Sequence, residues 1–235
     1  MEILPKIEII GLTLYIKKEK TLVISDLHLG LEEALSVPKF QFSKIVDHLD
    51  KVFSMTDVDR IVINGDLKHE FGHISEQEWS EVTRILDYLD KKCKELILIK
   101  GNHDTILGPI AKRKNIVVHD HIFLDKNKIY ITHGHQILED KEFKNSDIVI
   151  IAHEHPAIGL REEFRTEKVK CFLKGLWNNK ILIVQPSLNF VTEGTDITQE
   201  TMLSPFLKQD LSEFEIYAVE GFEVMRFGRL GDIIY

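Results

Sequence analysis

Residues 21–28 read Thr-Leu-Val-Ile-Ser-Asp-Leu-His, a short apolar run that ends in an aspartate and a histidine two positions apart. Four later runs have the same form, because each is rich in Ile, Leu or Val and stops at residues that can bind a metal ion. They are 60–66, ending in Asn-Gly-Asp, 95–104, ending in Gly-Asn-His-Asp, 128–135, ending in His-Gly-His, and 147–155, ending in His-Glu-His. Runs of this length and composition predict strands that are buried on both faces.

The polar residues that follow these strands are expected to lie together. In open α/β sheets, ligands bind beyond the carboxyl ends of the strands. Asp26 and His28 are two positions apart, so in an extended segment both side chains point to the same side. The same spacing relates His153 to His155. The five strand ends therefore predict one site at a common edge.

The residue types at these ends suit a pair of divalent ions. Two ions held about 3.5–4 Å apart need a shared anionic ligand and several further ligands. Asp66, directly after Gly65, is the natural bridging carboxylate, while Asn102 offers a neutral carbonyl oxygen and His133 an imidazole. Oxygen and imidazole ligands without a thiolate favour Mn, Fe(II), Zn, Co or Ni over Ca.

Composition sets broad limits on the class of protein. The chain has 235 residues, 43% hydrophobic and 29% charged, and contains no repeat or low-complexity linker, so a single domain over 1–235 is expected. Two cysteines, no signal-like N-terminus and no long apolar run indicate a cytoplasmic protein without a membrane segment. The net charge of −8 argues mildly against coating of nucleic acid by charge alone, but bound divalent ions would offset it locally. The oligomeric state is left open.

The order of predicted elements indicates an α/β protein with two sheets. The first half alternates strand-like runs with amphipathic helices, one after Pro38 and one after Ser75. Ser75-Glu-Gln-Glu78 predicts a capping box at the start of the second helix. The second half has short strands joined by Gly or Asn turns, which predict a second, more antiparallel sheet packed on the first. The long polar loop 187–212 is a candidate rim of the cleft.

Taken in order over residues 21–156, the five motifs resemble those of the calcineurin-like metallophosphoesterases. Residues 25–30, 65–71 and 152–156 are most similar to archaeal phosphoesterases related to the SbcD nuclease subunit. The resemblance implies an α/β fold, a four-layer α/β/β/α sandwich of two mixed sheets, with a dinuclear metal site at the strand C-terminal ends. It also implies two divalent transition-metal ions, with Mn expected first and Fe, Zn, Co or Ni as alternatives.

The resemblance also assigns roles, carried over position by position. One ion would be held by Asp26, His28, Asp66 and His155. The other would be held by Asp66, Asn102, His133 and His153. His103 would be the general acid, and Asp104 would orient its imidazole. From their position just past the strand that ends at Asp66, Lys68, His69 and His73 are candidates for contact with the substrate, the alternative being a solvated loop in which His69 supports the ligands. His135 is left either as a support for the ligands or as a substrate contact.

Three departures from related families are visible, and the first two narrow the function. His69 stands where the purple acid phosphatases carry a metal-bound Tyr, which argues against a ferric charge-transfer centre. The Arg-rich continuation of the Ser/Thr protein phosphatases is absent from the sequence, and Arg forks are how such enzymes grip a terminal phosphate. Ala152 also replaces a Gly that most relatives have.

The predicted function is a phosphodiesterase that hydrolyses nucleic-acid or nucleotide phosphodiesters. A hydroxide that bridges the two ions would attack phosphorus, and His103 would protonate the leaving oxygen. A phosphomonoesterase of small substrates is the alternative enzyme. A non-catalytic, metal-poor scaffold is the alternative from another class, since the same fold serves that purpose in a retromer subunit.

Overall fold

The computed structural model describes residues 1–72, 74–104, 116–162 and 165–233, and within them the chain forms two mixed β-sheets. The first sheet contains β1 (Glu2–Leu4), β2 (Ile7–Ile10), β3 (Thr13–Ile16), β4 (Thr21–Ile24), β5 (Arg60–Asn64), β6 (Glu95–Ile99) and β7 (Val118–His119). The α-helices in these ranges are α1 (Leu31–Leu35), α2 (Gln41–Met55), α3 (Glu76–Asp90) and α4 (Lys141–Asn145).

The first sheet has the order β1-β2-β3-β4-β5-β6-β7. Its first four strands are antiparallel, whereas β4 to β7 are parallel, in a register that pairs Ile24 with Ile63 and Ile63 with Leu98. The carboxyl ends of β4, β5 and β6 therefore lie along one edge. Strands β1 to β3 extend this sheet beyond the predicted parallel strands.

The second sheet contains β8 (His121–Leu124), β9 (Ile129–Thr132), β10 (Ile148–Ile151), β11 (Pro156–Glu162), β12 (Arg165–Trp177), β13 (Lys180–Val184), β14 (Thr195–Asp196), β15 (Glu215–Glu220) and β16 (Glu223–Arg229). Its order is β14-β11-β12-β13-β10-β9-β8, with β15 and β16 added beside β12. Strand β10 pairs in parallel with β9 and β13, and β11 pairs in parallel with β14, while the other described pairs of this sheet are antiparallel. The predicted second, more antiparallel sheet is confirmed.

The main core joins the two sheets. It contains fully buried side chains from β4 and β5, such as Ile24 and Ile61, together with Ile131, Ile150 and Ile183 of the second sheet. Each such side chain contributes about 1.5–3 kcal/mol of burial free energy. All four residues of β4 are buried, so both of its faces are covered. Helices α2 and α3 supply apolar residues to the same cluster.

The far face of the second sheet has a thinner cover. Phe143 of α4 packs there against Trp177 and Phe206, with ring centroids 5.7 and 6.4 Å away. The predicted mixed α/β sandwich is therefore confirmed, but within the described ranges its last helical layer is a single five-residue helix. None of the helices described is long and apolar enough to cross a membrane.

Candidate metal centre

The side chains predicted to bind metal follow five parallel strands and meet at one edge of the sandwich. Strands β4, β5 and β6 of the first sheet lead into Asp26 and His28, then Asp66, then Asn102. Strands β9 and β10 of the second sheet lead into His133, His153 and His155. The site thus lies where the two sheets meet.

Sharp turns in the backbone aim these side chains. Five of the candidate ligands have left-handed backbone angles, with φ of 51° at Asp26, 45° at His28, 49° at Asp66, 68° at His153 and 51° at His155. Non-glycine residues rarely adopt this region, and such strained residues cluster at functional sites. Hydrogen bonds hold the turns together, since the N–H of Asp26 donates to the Gly65 carbonyl at 3.1 Å.

Asp26, His28 and His155 form the first group of ligand atoms. His155 Nε2 lies 3.2 Å from Asp26 Oδ1 and 3.3 Å from His28 Nε2. The three ligand atoms are within 4.8 Å of one another, which is close enough to share one ion. The buried Asp26 Oδ1 has no hydrogen-bond partner of good geometry in the described part of the chain.

Asp66, His133 and His153 form the second group, and Asn102 lies beside them. His133 Nε2 is 3.3 Å from Asp66 Oδ2 and 3.1 Å from Asn102 Oδ1. On the other side of the ring, Nδ1 lies 3.0 Å from the Asn64 carbonyl oxygen, to which it donates. In neutral His133 the Nε2 lone pair therefore faces two oxygen acceptors. Such a set of electron donors fits a bound cation.

Asp66 connects the two groups. Its Oδ2 is 3.3 Å from His133 Nε2 in the second group and 3.8 Å from His28 Nε2 in the first. Its Oδ1 accepts a hydrogen bond of 2.9 Å from the backbone N–H of His103. Asp66 therefore stands where a carboxylate shared by two ions would be needed.

The electrostatics of the site favour charged carboxylates at Asp26 and Asp66 and neutral imidazoles at His28 and His153. Burial alone would raise the pKa of Asp66 and Asp26, but the neighbouring histidines lower both. Burial lowers the pKa of His28 to about 3 and that of His153 to about 4. Burial also opposes a charge on His133, yet the hydrogen bond to Asp66 and the charge of Asp26 raise its pKa to about 9. A metal ion would thus compete with one proton held at His133.

His103 lies beside this cluster, although its ring contact differs from the predicted one. Its Nδ1 faces the backbone carbonyl of His69, and its Nε2 lies 3.9 Å from Asp66 Oδ2. Asp104, expected to orient this ring, instead accepts hydrogen bonds from the backbone N–H groups of Gly101 at 2.9 Å and Leu67 at 3.2 Å. Burial, reinforced by the charge of Asp66, raises the pKa of Asp104 to about 6.

The candidate substrate contacts are placed differently from one another. The ring of His69 lies 5.4 Å from that of His103, and the ring of His135 lies 5.3 Å from that of His133, so both border the cluster. Lys68 is fully buried, and its ammonium donates to the Glu70 carbonyl rather than facing the ligands. His73 lies outside the described residues.

Two acidic residues near the site have contacts that the sequence did not reveal. Glu154 stands between His153 and His155, and its Oε2 accepts hydrogen bonds from the N–H groups of Leu203 at 2.9 Å and Ser204 at 2.8 Å. Glu78, predicted as a helix cap, contacts the loop after Asp66. For Glu154 the usable signal was its position between two candidate ligands, His153 and His155.

The loop 187–212 is attached beside the first ligand group. The N–H of Leu188 donates to the Ser25 carbonyl at 2.9 Å, directly before Asp26. Lys170 fixes the same part of the loop, because its ammonium donates to Ser187 Oγ at 2.7 Å and to the Asn189 carbonyl. Burial lowers the pKa of Lys170 to about 7. The start of this loop therefore braces the turn that carries Asp26.

Comparison with solved structures supports the fold. The nuclease MPE of Pseudomonas putida aligns with a TM-score of 0.64 at 18% identity, over 92% of this chain and 91% of the nuclease. Vps29 of Cryptosporidium parvum aligns at a TM-score of 0.43 and 13% identity, over 89% of this chain and 97% of its own. A predicted phosphoesterase of Streptococcus pneumoniae TIGR4 aligns at 0.36 and 14%, over 89% and 97%. Of these three alignments, that with MPE supports the fold, and at 18% identity it concerns the fold alone, whereas the two with TM-scores of 0.43 and 0.36 carry no argument.

Among curated proteins, none matches this sequence significantly. The model of one family does match, that of the calcineurin-like phosphoesterases, and it covers residues 19–177, more than half of the chain. That range includes all five strand ends and every candidate ligand described above. The chain therefore belongs to the calcineurin-like phosphoesterase family.

Proposed function

We propose that this protein is a dinuclear-metal-dependent phosphodiesterase that hydrolyses nucleic-acid or nucleotide diesters. The observation that carries the proposal is the pair of ligand groups joined through Asp66, with His103 beside them. Family membership supports a phosphoester hydrolase. The structural neighbour MPE is a nuclease, which makes nucleic acid the first substrate class to test.

The residues present fit two divalent ions. Asp26, His28, Asp66 and His155 would hold one ion, and Asp66, Asn102, His133 and His153 the other. When bound, such ions activate water and neutralise charge on the phosphoryl oxygens. Three points stay predictions: that Mn is the native ion, that the chain resembles SbcD-related proteins in particular, and that the protein is cytoplasmic.

In this proposal His103 supplies a proton to the leaving oxygen. With its Nδ1–H donating to the His69 carbonyl, the ring directs Nε2 toward the metal cluster. In its imidazolium form the ring also carries a proton on Nε2, and that proton would be available at the edge where the substrate would bind. Asp104 supports this arrangement indirectly, because its carboxylate holds the backbone of Gly101 and Leu67 on either side of the cluster.

The described arginines favour a diester over a terminal phosphate. A phosphate dianion is commonly gripped by an Arg fork. Each arginine whose side chain is described is engaged elsewhere. Arg60 pairs with Glu95, Arg84 stacks on Phe42, Arg226 pairs with Glu215 and Arg229 pairs with Glu213. A phosphodiester carries one negative charge fewer than a terminal phosphate, so its binding depends less on an Arg fork.

The test compares initial rates on bis(p-nitrophenyl) phosphate and p-nitrophenyl phosphate with added Mn²⁺. We expect cleavage of the diester to exceed that of the monoester. Asp66→Asn should lower both rates by more than about a hundredfold, because metal stabilisation of the transition state is worth several kcal/mol. His119→Ala, which removes an exposed histidine at the end of β7, is the matched control and should leave the rates unchanged.

Two other results would replace the proposal. Preference for the monoester, lost in Asp66→Asn, would indicate a phosphomonoesterase. Absence of stoichiometric transition metal in the purified protein, together with no hydrolysis after metal is added, would indicate the scaffold function. Metal content measured by mass spectrometry separates this case from an active enzyme with a narrow substrate range.

A further inference from the structure

Glu78 does not complete the capping box that its sequence position predicts. Ser75 Oγ accepts the Glu78 N–H at 3.1 Å, so the first half of the box is present. The carboxylate, however, accepts the N–H of His69 at 2.8 Å and the N–H of Glu70 at 2.9 Å, both through Oε1. A helix-capping residue is thus used to hold the loop that follows Asp66.

This use of Glu78 is costly for the fold. The side chain is fully buried, burial raises its pKa, and its Oε2 has no hydrogen-bond partner among the described residues. Burying a carboxylate is unfavourable unless it is well compensated. A partly exposed glutamate would cap α3 equally well. The burial therefore indicates a purpose beyond stability of the helix.

The peptide that Glu78 holds also contacts His103. The N–H of Glu70, which belongs to the same peptide group as the His69 carbonyl, donates to Glu78 Oε1 at 2.9 Å. The carbonyl of His69 faces Nδ1 of His103. Hydrogen bonds in a chain polarise one another, so an acceptor oxygen on the Glu70 N–H strengthens the His69 carbonyl as an acceptor for His103.

We propose that Glu78 is a positioning residue for His103. It fixes the 69–70 segment of the loop so that the His69 carbonyl binds Nδ1 and keeps Nε2 directed at the metal cluster. The inference rests on the proposed role of His103 as general acid. It adds to that role a residue outside the metal ligands and outside the Gly-Asn-His-Asp motif.

The experiment uses the dependence of the rate on the leaving group. Diphenyl phosphate releases a more basic oxygen than bis(p-nitrophenyl) phosphate and needs the general acid more. We expect Glu78→Ala to lower kcat on diphenyl phosphate by about 10- to 100-fold, part of the 10²–10⁴ that a general acid supplies. On bis(p-nitrophenyl) phosphate kcat should fall less than about threefold, with KM unchanged on both.

Conservative and control variants accompany Glu78→Ala. Glu78→Gln should stay within about threefold of wild type on both substrates, because an amide oxygen can accept the same two hydrogen bonds. Glu78→Asp, one methylene shorter, should repeat the selective loss and serves if Glu78→Ala does not fold. Glu76→Ala removes an exposed carboxylate from the same helical turn and should change neither rate.

A cycle with His103→Ala separates the two proposals. If Glu78 acts through His103, Glu78→Ala should cause no further loss in the His103→Ala background. If His103→Ala itself shows no selective loss on diphenyl phosphate, the general-acid role is wrong. Suppose instead that His103→Ala shows that loss, but Glu78→Ala lowers kcat equally on both substrates or reduces metal content. In that case the inference about Glu78 is overturned, while the general-acid role of His103 stands.

Discussion

Asp66 occupies the centre of the metal cluster, and the backbone of Gly101 lies directly against it. A Cβ atom built on Gly101 would overlap the Asp66 carboxylate and its backbone nitrogen. We predict that Gly101→Ala displaces Asp66, costs about 1–3 kcal/mol of folding free energy from overpacking and weakens Mn²⁺ binding at least about tenfold. Calorimetric titration with Mn²⁺ and urea unfolding measure the two effects.

Gly72→Ala is the matched control for this change. A Cβ atom at Gly72 meets nothing within 4 Å, so both metal affinity and stability should stay near wild type. Equal Mn²⁺ affinity in Gly101→Ala and wild type would show that Asp66 does not need this close contact to bind metal.

The candidate ligands could be recognised in the sequence because each follows a local, strongly apolar run. The structure brings these side chains together, as in the groups around Asp26 and Asp66. The contacts of Asp104 and Lys68 could not be predicted, because both side chains bind backbone groups, and backbone groups carry no signal in the sequence. The left-handed angle of Asp66 was equally hidden, since the glycine that permits the turn is its neighbour.

Strand β10 and the loop 187–212 are linked through Glu154, which lies in the turn after the strand. Its carboxylate accepts hydrogen bonds from the N–H groups of Leu203 and Ser204. Ser204 Oγ in turn donates to the Gly134 carbonyl at 2.8 Å. These contacts attach the loop next to His153 and His155. We predict that Glu154→Ala releases this attachment and speeds hydrogen exchange at the Leu203 and Ser204 amides at least about tenfold, because two charge-assisted hydrogen bonds are lost.

Hydrogen exchange followed by mass spectrometry tests this attachment. Glu193→Ala, at an exposed position in the same loop, should leave those two amides as slow as in wild type. Unchanged exchange at Leu203 and Ser204 in Glu154→Ala would mean that other contacts, such as those of the Pro205–Leu207 turn, hold the loop.

The elements themselves were predictable to different extents. Helices α2 and α3 and the strands before the ligands follow from local periodicity, which the sequence displays directly. The antiparallel strands β1 to β3 and the long strand β12 were harder, because their pairing depends on residues far along the chain. Cys171 in β12, for example, pairs with Ala218 of β15. Only the sheet as a whole decides such partners.

The two sheets share both a core and the candidate site, which supports our proposal that residues 1–235 form a single domain. The main cluster of buried residues takes side chains from both sheets. The ligands are divided in the same way, with Asp26 and Asp66 from the first sheet and His133 and His155 from the second. Metal ions bound between them would tie the sheets together.

This division makes metal binding a contribution to the stability of the entire fold. A ligand that binds only the folded state at 100 times its Kd stabilises it by about 2.7 kcal/mol. For a chain of this size that corresponds to a rise in Tm of about 5–10 °C.

We predict this rise when Mn²⁺ is added to chelator-treated wild-type protein, and little rise in Asp66→Asn. Calorimetry measures the Tm of both proteins with and without Mn²⁺. A separate cluster of His121, Asp140 and Glu142 could also bind Mn²⁺, and His121→Ala tests whether the rise in Tm arises there. A shift that persists in Asp66→Asn and disappears in His121→Ala would mean that Mn²⁺ stabilises the protein outside the proposed centre.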